Sequence, residues 1–303
     1  MYINNDFENH FFLIAIVERD FSDKIVRPLI NEIASTKPGK ELLERITNIG
    51  CQFKIVSSNT TVTFPNLNLV QIEEEKPYFY VTMQKGEKFL VEGPRNVRLA
   101  HELIHLVHAY ENPEAEKRRG ETHTDDEMDT EEERLTIQGS NNFEKDNCCE
   151  NSFLSALNYP IRINHDGPAI SPPSLIDVIK TGALGTLKQI LEKDPAQINF
   201  VGYCLEAEAT TTLLSAAAFY NQTPIIDYLL NSHVNIHQED EIGGPILAAL
   251  KHDYKELAFS LAERGLDRNL RDRIQQTALD FLNRRPTSRF DIRSKPLLKL
   301  LSS

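Results

Sequence analysis

The chain has 303 residues, 40% of them hydrophobic and 26% charged, a balance that fits an ordinary globular protein with room for two modest domains. A formal net charge of -12 argues against a sequence-independent grip on nucleic acid, which relies on Lys and Arg, and makes a basic patch on a substrate the better match. The longest early apolar run, residues 11–17, is too short to span a bilayer, and Asp6 and Glu8 before it contradict the positive start of a secretory signal, so no transmembrane segment is expected.

In chain order, residues 21–34 and 40–48 read as helices, the second following Pro38-Gly39, and residues 52–56, 78–83 and 88–91 read as strands. The expected arrangement is a twisted sheet over the next helix, with an edge strand open to an extended peptide. Tyr78-Phe79-Tyr80-Val81 is either that edge or a core strand. Gly93-Pro94 closes this region, and Asn96 reads as the N-cap of a helix over 97–110 whose apolar residues include Leu99, Leu103, Ile104 and Val107.

That helix carries His101-Glu102-Leu103-Ile104-His105, the H-E-x-x-H pattern of zinc peptidases. Helical positions four apart share a face about 6 Å apart along the axis, so two imidazoles can converge on one zinc at about 2.0–2.1 Å. Glu102 is then placed to act as general base on water at the metal. The competing reading is a pair of satisfied core histidines. His108 lies about 10 Å along the axis from His101, too far for both to hold one ion. Catalytic zinc needs a third protein ligand and an open position. The downstream acidic run, residues 125–139, reads mostly as a solvated loop and helix start.

The blocks Leu99-Ala100-His101-Glu102-Leu103-Ile104-His105, Glu132-Glu133-Arg134-Leu135-Thr136-Ile137-Gln138-Gly139 and Glu150-Asn151 followed by Pro160-Ile161-Arg162 resemble the NleD-type bacterial effector zinc metalloproteases. The first two are also similar to the clostridial neurotoxin light chains, which are gluzincins. The resemblance implies Zn2+ held by His101, His105 and Glu133, with Glu132 as the fallback because of the extra Gln138. It further implies Arg162 as an oxyanion stabiliser, His165 as a weaker one where the light chains have Tyr, and Glu150 holding a ligand histidine or Arg162 from behind. It also implies delivery into a host cell's cytoplasm by a route needing no signal peptide, and a host protein as substrate.

Cys51, the neighbours Cys148 and Cys149, and Cys204 lack C-x-x-C spacing and read as reduced thiols of a cytosolic compartment. Gly167-Pro168 and Ser171-Pro172-Pro173 form a linker-like break. Beyond it, helix-turn-helix patterns start at Thr212, Gly244 and Thr277, a spacing of about 33, after a degenerate unit over 174–199 that ends in a long loop before Thr210. These units resemble ankyrin repeats, with turns such as Asn231-Ser232-His233 and Arg264-Gly265-Leu266 in register. The expected fold is α+β: a zincin-like metalloprotease domain over 1–168, then an all-α ankyrin array of about three to four repeats over 169–303 that binds a protein partner. The expected function is zinc-dependent endopeptide hydrolysis. The alternative is a binding protein whose zincin domain is inert.

Overall fold

The computed structural model describes residues 15–17, 21–50, 52–73, 77–124, 128–139, 148–165, 173–284 and 294–302. Cys51, residues 125–127 of the acidic run and the break over 166–172 lie outside them. The chain divides into two compact units, Met1–Gly86 with Leu90–Pro172, and Glu87–Phe89 with Pro173–Ser303.

The first unit opens on strand β1 (Ala15–Val17), a π-helical turn (Ser22–Val26) and helices α1 (Arg27–Ala34) and α2 (Lys37–Ile49). Helix α2 starts earlier than Pro38-Gly39 suggested, because Thr36 accepts from Gly39 N and proline fits a first turn, where its missing N–H costs nothing. Strands β2 (Phe53–Ser58), β3 (Val62–Phe64) and β4 (Leu69–Glu73) complete a mixed sheet with β1. Its order is β1-β2-β4-β3, with β1, β2 and β4 parallel and β3 antiparallel at the edge. Alternation explains the faces: Phe53, Ile55, Val70 and Ile72 are buried while Lys54 is exposed. Tyr78-Phe79-Tyr80-Val81 belongs to neither the edge nor the core of this sheet. It lies in β5 (Tyr78–Gln84), which pairs with β6 (Glu87–Gly93) in a separate ribbon. Lys85 and Gly86, at φ 51° and 81°, supply the left-handed turn that closes it.

Helix α3 (Arg95–Glu111) passes through the core. Its N-cap is Pro94 and not Asn96, which lies inside the first turn; Val97 N bonds back to Pro94 O. Val97, Leu99, Ala100, Leu103, Ile104, Leu106 and Val107 are all buried, so the helix contacts α1, α2 and β3 from different sides. Full burial of each Leu or Ile contributes at most about 1.5–3 kcal/mol, and together they fix the rotation of the helix. Helices α4 (Pro113–Glu121), α5 (Glu131–Gln138) and α6 (Glu150–Ala156) follow, with α5 and α6 both packed on α3.

The second unit holds helix pairs α7 (Leu175–Lys180) and α8 (Leu184–Lys193), α9 (Leu213–Phe219) and α10 (Thr223–Asn231), and α11 (Gly244–Lys251) and α12 (Lys255–Glu263), then α13 (Ala278–Arg284) and α14 (Ser294–Ser302). Ser174 and Thr212 cap α7 and α9 through their side chains. Every residue of α9, and of α11 from Gly244 to Leu250, is buried, because each is packed by its own partner and by the next unit. The unit is not all-α. The stretch expected to be a long loop forms a hairpin, β7 (Val201–Cys204) against β8 (Ala209–Thr212). Thr210, Thr211 and Thr212 are β-branched and suit a strand, a local signal that outweighs the helical repeat.

Candidate metal centre

Helix α3 turns His101 and His105 toward α5. The two histidine Nε2 atoms are 3.1 Å apart. Glu133, in the first turn of α5, presents Oε2 at 3.3 Å from His101 Nε2 and Oε1 at 3.4 Å from His105 Nε2. His101, His105 and Glu133 thus offer ligand atoms within 4.8 Å of one another, the one such group of three or more metal-ligating side chains among the described residues. Thr130 caps α5 by accepting from Glu133 N, which fixes the turn that aims this carboxylate.

The other ring nitrogens are engaged from behind. His101 Nδ1 donates to Glu150 Oε2 at 2.7 Å, leaving the Nε2 lone pair facing inward. His105 Nδ1 has Thr136 Oγ1 at 3.4 Å and Glu132 Oε1 at 3.5 Å. Glu132 also receives His108 Nδ1 and Arg119 Nε, each at 2.6 Å. The adjacent glutamates therefore face opposite ways: Glu133 meets both inward nitrogens, while Glu132 meets outer ones. His108 contributes through Glu132 and not to the cluster itself.

Two inward lone pairs and a carboxylate at these distances repel one another unless a proton or cation lies between them. Glu133 Oε2 is moreover buried without a hydrogen-bond partner among the described residues. Burial disfavours charge on His101 and His105, but the surrounding carboxylates outweigh it, raising His101 above 6.5 and His105 to about 10. Glu133 is held below the usual carboxylate range because the two histidines outweigh its burial. A set of two histidines and one carboxylate with an unfilled acceptor fits a divalent cation such as zinc.

Glu102 is buried, and its Oε2 accepts from Thr63 Oγ1 at 2.9 Å. The same hydroxyl lies 2.9 Å from Glu102 O, and Thr63 is the middle residue of edge strand β3. The general-base candidate is therefore oriented by the sheet edge, a contact between residues 39 apart that no motif announces.

Arg162 differs from expectation. It is buried, and its guanidinium donates to Asn164 O at 2.5 Å, to Tyr78 Oη and Glu150 Oε2 at 2.9 Å each, and to His165 O. Its backbone is clamped by Asn151, whose side chain accepts from Arg162 N at 2.7 Å and donates to Arg162 O at 2.9 Å. Committed in this way, Arg162 anchors Glu150. Glu150, fully buried, also accepts from Tyr78 Oη; burial pushes its carboxyl up, but Arg162 and His101 bring it down to about 2. His165, one-third exposed, is the outward-facing group. Its Nδ1 lies 2.6 Å from Asp129 Oδ2 and its Nε2 lies 3.3 Å from Glu133 Oε2. Thr63, Tyr78, Asp129, Arg119 and Asn151 are the site residues that sequence reasoning did not assign.

No family model matches the chain. Over 112 residues, 36% of its length, it is 28% identical to the rat ankyrin repeat and SAM domain-containing protein 6, and it is 27% identical to the mouse protein of that name over the same share. The match covers 12% of each relative. This supports an ankyrin-repeat component in a mixed α+β protein. Among the described residues, no helix is long and apolar enough to cross a membrane, and Cys148, Cys149 and Cys204 are buried.

Proposed function

We propose that the first unit is a zinc-dependent endopeptidase and that the repeats bind a protein partner, bringing a substrate to it. The carrying observation is the convergence of His101 Nε2, His105 Nε2 and the Glu133 carboxylate beside a buried glutamate, Glu102, that is oriented by Thr63 of strand β3. Zinc bound by these three residues would supply Lewis acidity toward water and the scissile carbonyl. Glu102 takes the proton of the attacking water and returns it to the leaving amine. Thr63 holds Glu102 in position for both transfers. Glu150 keeps Nδ1 of His101 protonated, and Arg162 with Tyr78 keeps Glu150 charged and in place. His165, oriented by Asp129, is the residue from which a donor reaches the developing oxyanion, a role moved here from Arg162. The β3 edge is where an extended substrate would add its backbone. The resemblance to NleD-type effectors supports a host protein as target and the host cytoplasm as the place of action.

The test is mass spectrometry of cleavage products from a eukaryotic lysate treated with zinc-loaded wild type or Glu102→Gln. New termini found with wild type alone support hydrolysis and name the bond. Equal products, with zinc at one per chain, overturn it in favour of a second reading, a binding protein with an inert first unit. The ankyrin similarity is the observation that favours that alternative.

A further inference from the structure

Glu133 Oε2 lies 3.3 Å from His101 Nε2 and also 3.3 Å from His165 Nε2, yet among the described residues it has no hydrogen-bond partner. Polar atoms held this close without a hydrogen bond are not satisfied by one another. The interval is that of ligands around one ion, since atoms roughly 2.0–2.1 Å from a tetrahedral zinc are about 3.3–3.4 Å apart. His101 Nε2 to His105 Nε2, at 3.1 Å, and Glu133 Oε1 to His105 Nε2, at 3.4 Å, fall in the same range.

The His165 ring is supported as a ligand ring is. Its Nδ1 lies 2.6 Å from Asp129 Oδ2. A carboxylate accepts and does not donate, so the proton of that bond is on Nδ1, and the opposite nitrogen is the one beside Glu133. His101 repeats the pattern, with Glu150 behind Nδ1 at 2.7 Å and Nε2 beside Glu133. A carboxylate behind the imidazole is the usual support of a zinc-bound histidine. Asp129 immediately precedes Thr130, which caps α5 by accepting from Glu133 N. One short stretch of backbone therefore carries both the ligand carboxylate and the carboxylate behind His165.

Exposure sets the three histidines apart. The side chains of His101 and His105 are 9% and 13% exposed and belong to α3, whereas that of His165 is 33% exposed and leans on Asp129, itself 53% exposed. His165 also stands outside the group whose ligand atoms all lie within 4.8 Å of one another. Of the rings around the centre it is the one held least tightly.

We infer that His165 is a fourth, displaceable ligand of the zinc held by His101, His105 and Glu133, so that the resting centre is closed and opens when an oxygen ligand takes the place of the ring. Three protein ligands with a free position are the mark of a catalytic zinc and four that of a structural one, so departure of His165 converts the second into the first. Once displaced, the ring remains beside the carbonyl that displaced it, where its donor role is needed. This assignment rests on the proposed zinc centre and adds to it a latent state.

The full chain is loaded with one equivalent of zinc, and X-ray absorption at the zinc edge counts the imidazoles on the metal, with and without excess acetohydroxamate, an oxygen ligand of zinc. His165→Phe keeps a flat ring and removes both nitrogens. Near-ultraviolet circular dichroism checks its fold, and competition against a chelator compares its zinc affinity with that of wild type. Three imidazoles in wild type, two in His165→Phe and two in wild type under acetohydroxamate, with affinity lowered about ten-fold or more by the substitution, support the inference. Two imidazoles in untreated wild type, or an affinity untouched by His165→Phe, overturn the fourth ligand and leave the centre of three standing. Three imidazoles that persist under acetohydroxamate overturn displacement and mark a closed, structural zinc. Absence of zinc from both proteins overturns the centre itself and the latent state with it.

Discussion

Glu132 and Glu133 are neighbours of one chemical type, so exchanging each for its amide isolates geometry as the variable. Glu133 lies 3.3 and 3.4 Å from the inward nitrogens of His101 and His105, whereas Glu132 is 3.5 Å from the outer nitrogen of His105 and is held by His108 and Arg119. Structural zinc sites with four ligands are worth roughly 10–16 kcal/mol, about 2.5–4 kcal/mol per ligand. Glu133→Gln should then weaken zinc roughly 10²–10³-fold. Glu132→Gln loses only an outer contact, worth roughly 10–100-fold. The amide still accepts from Arg119, so the fold should hold. Competition against a chromophoric chelator, with near-ultraviolet circular dichroism as the folding check, measures both. A larger loss in Glu132→Gln than in Glu133→Gln would refute the assignment of Glu133 as ligand.

His105, raised to about 10 in the free protein, carries a proton at neutral pH that zinc must displace. Binding should thus release protons and strengthen as pH rises toward 10, which calorimetry in buffers of different ionisation enthalpy detects; zero release at pH 7 contradicts the electrostatics. Thr63→Val removes the 2.9 Å bond to Glu102 while keeping a β-branched strand residue, and should lower kcat about ten-fold with KM and zinc affinity little changed. A drop in zinc affinity equal to the drop in kcat would show that Thr63 supports the ligands instead. Leu247→Ala opens a cavity in fully buried α11 and should cost about 2–5 kcal/mol in chemical denaturation of the second unit. A loss well below about 2 kcal/mol, the smallest expected of a buried leucine, would mean that α11 is not the unit's interior.

What the sequence disclosed is what has a local cause. The H-E-x-x-H spacing lies within one turn, and α3 appears within a few residues of its expected bounds because apolar periodicity dictates it. The repeats were legible because their period of about 33 residues survives from Thr212 through Gly244 to Thr277. Strands β3 and β4 were missed: Val62–Phe64 has three residues, too few for an alternation to register, and its role arises from the fold bringing Thr63 to Glu102. Arg162 is joined to the centre through Glu150, yet the four hydrogen bonds that occupy its guanidinium depend in part on Tyr78, 84 residues away, and Asn164. The hairpin at 201–212 was hidden beneath the helical repeat. Asp240 and Asp272 were likewise unread, although both gather backbone N–H groups of their turns, Gly243 and Gly244 in one case and Ile274 and Gln276 in the other.

The buried Glu150 has a bearing on timing. It follows His101 by 49 residues, and its own anchor, Arg162, comes 12 residues later still. A ribosome therefore finishes the helix bearing His101 and His105, and then the glutamate pair, well before it makes the carboxylate that fixes the His101 ring. Until the chain through His165 has emerged and folded back onto Tyr78, the ring is free to turn and the inward face is unformed. The inward-facing set of His101, His105 and Glu133 is therefore supported from behind only once about the first half of the chain has been made.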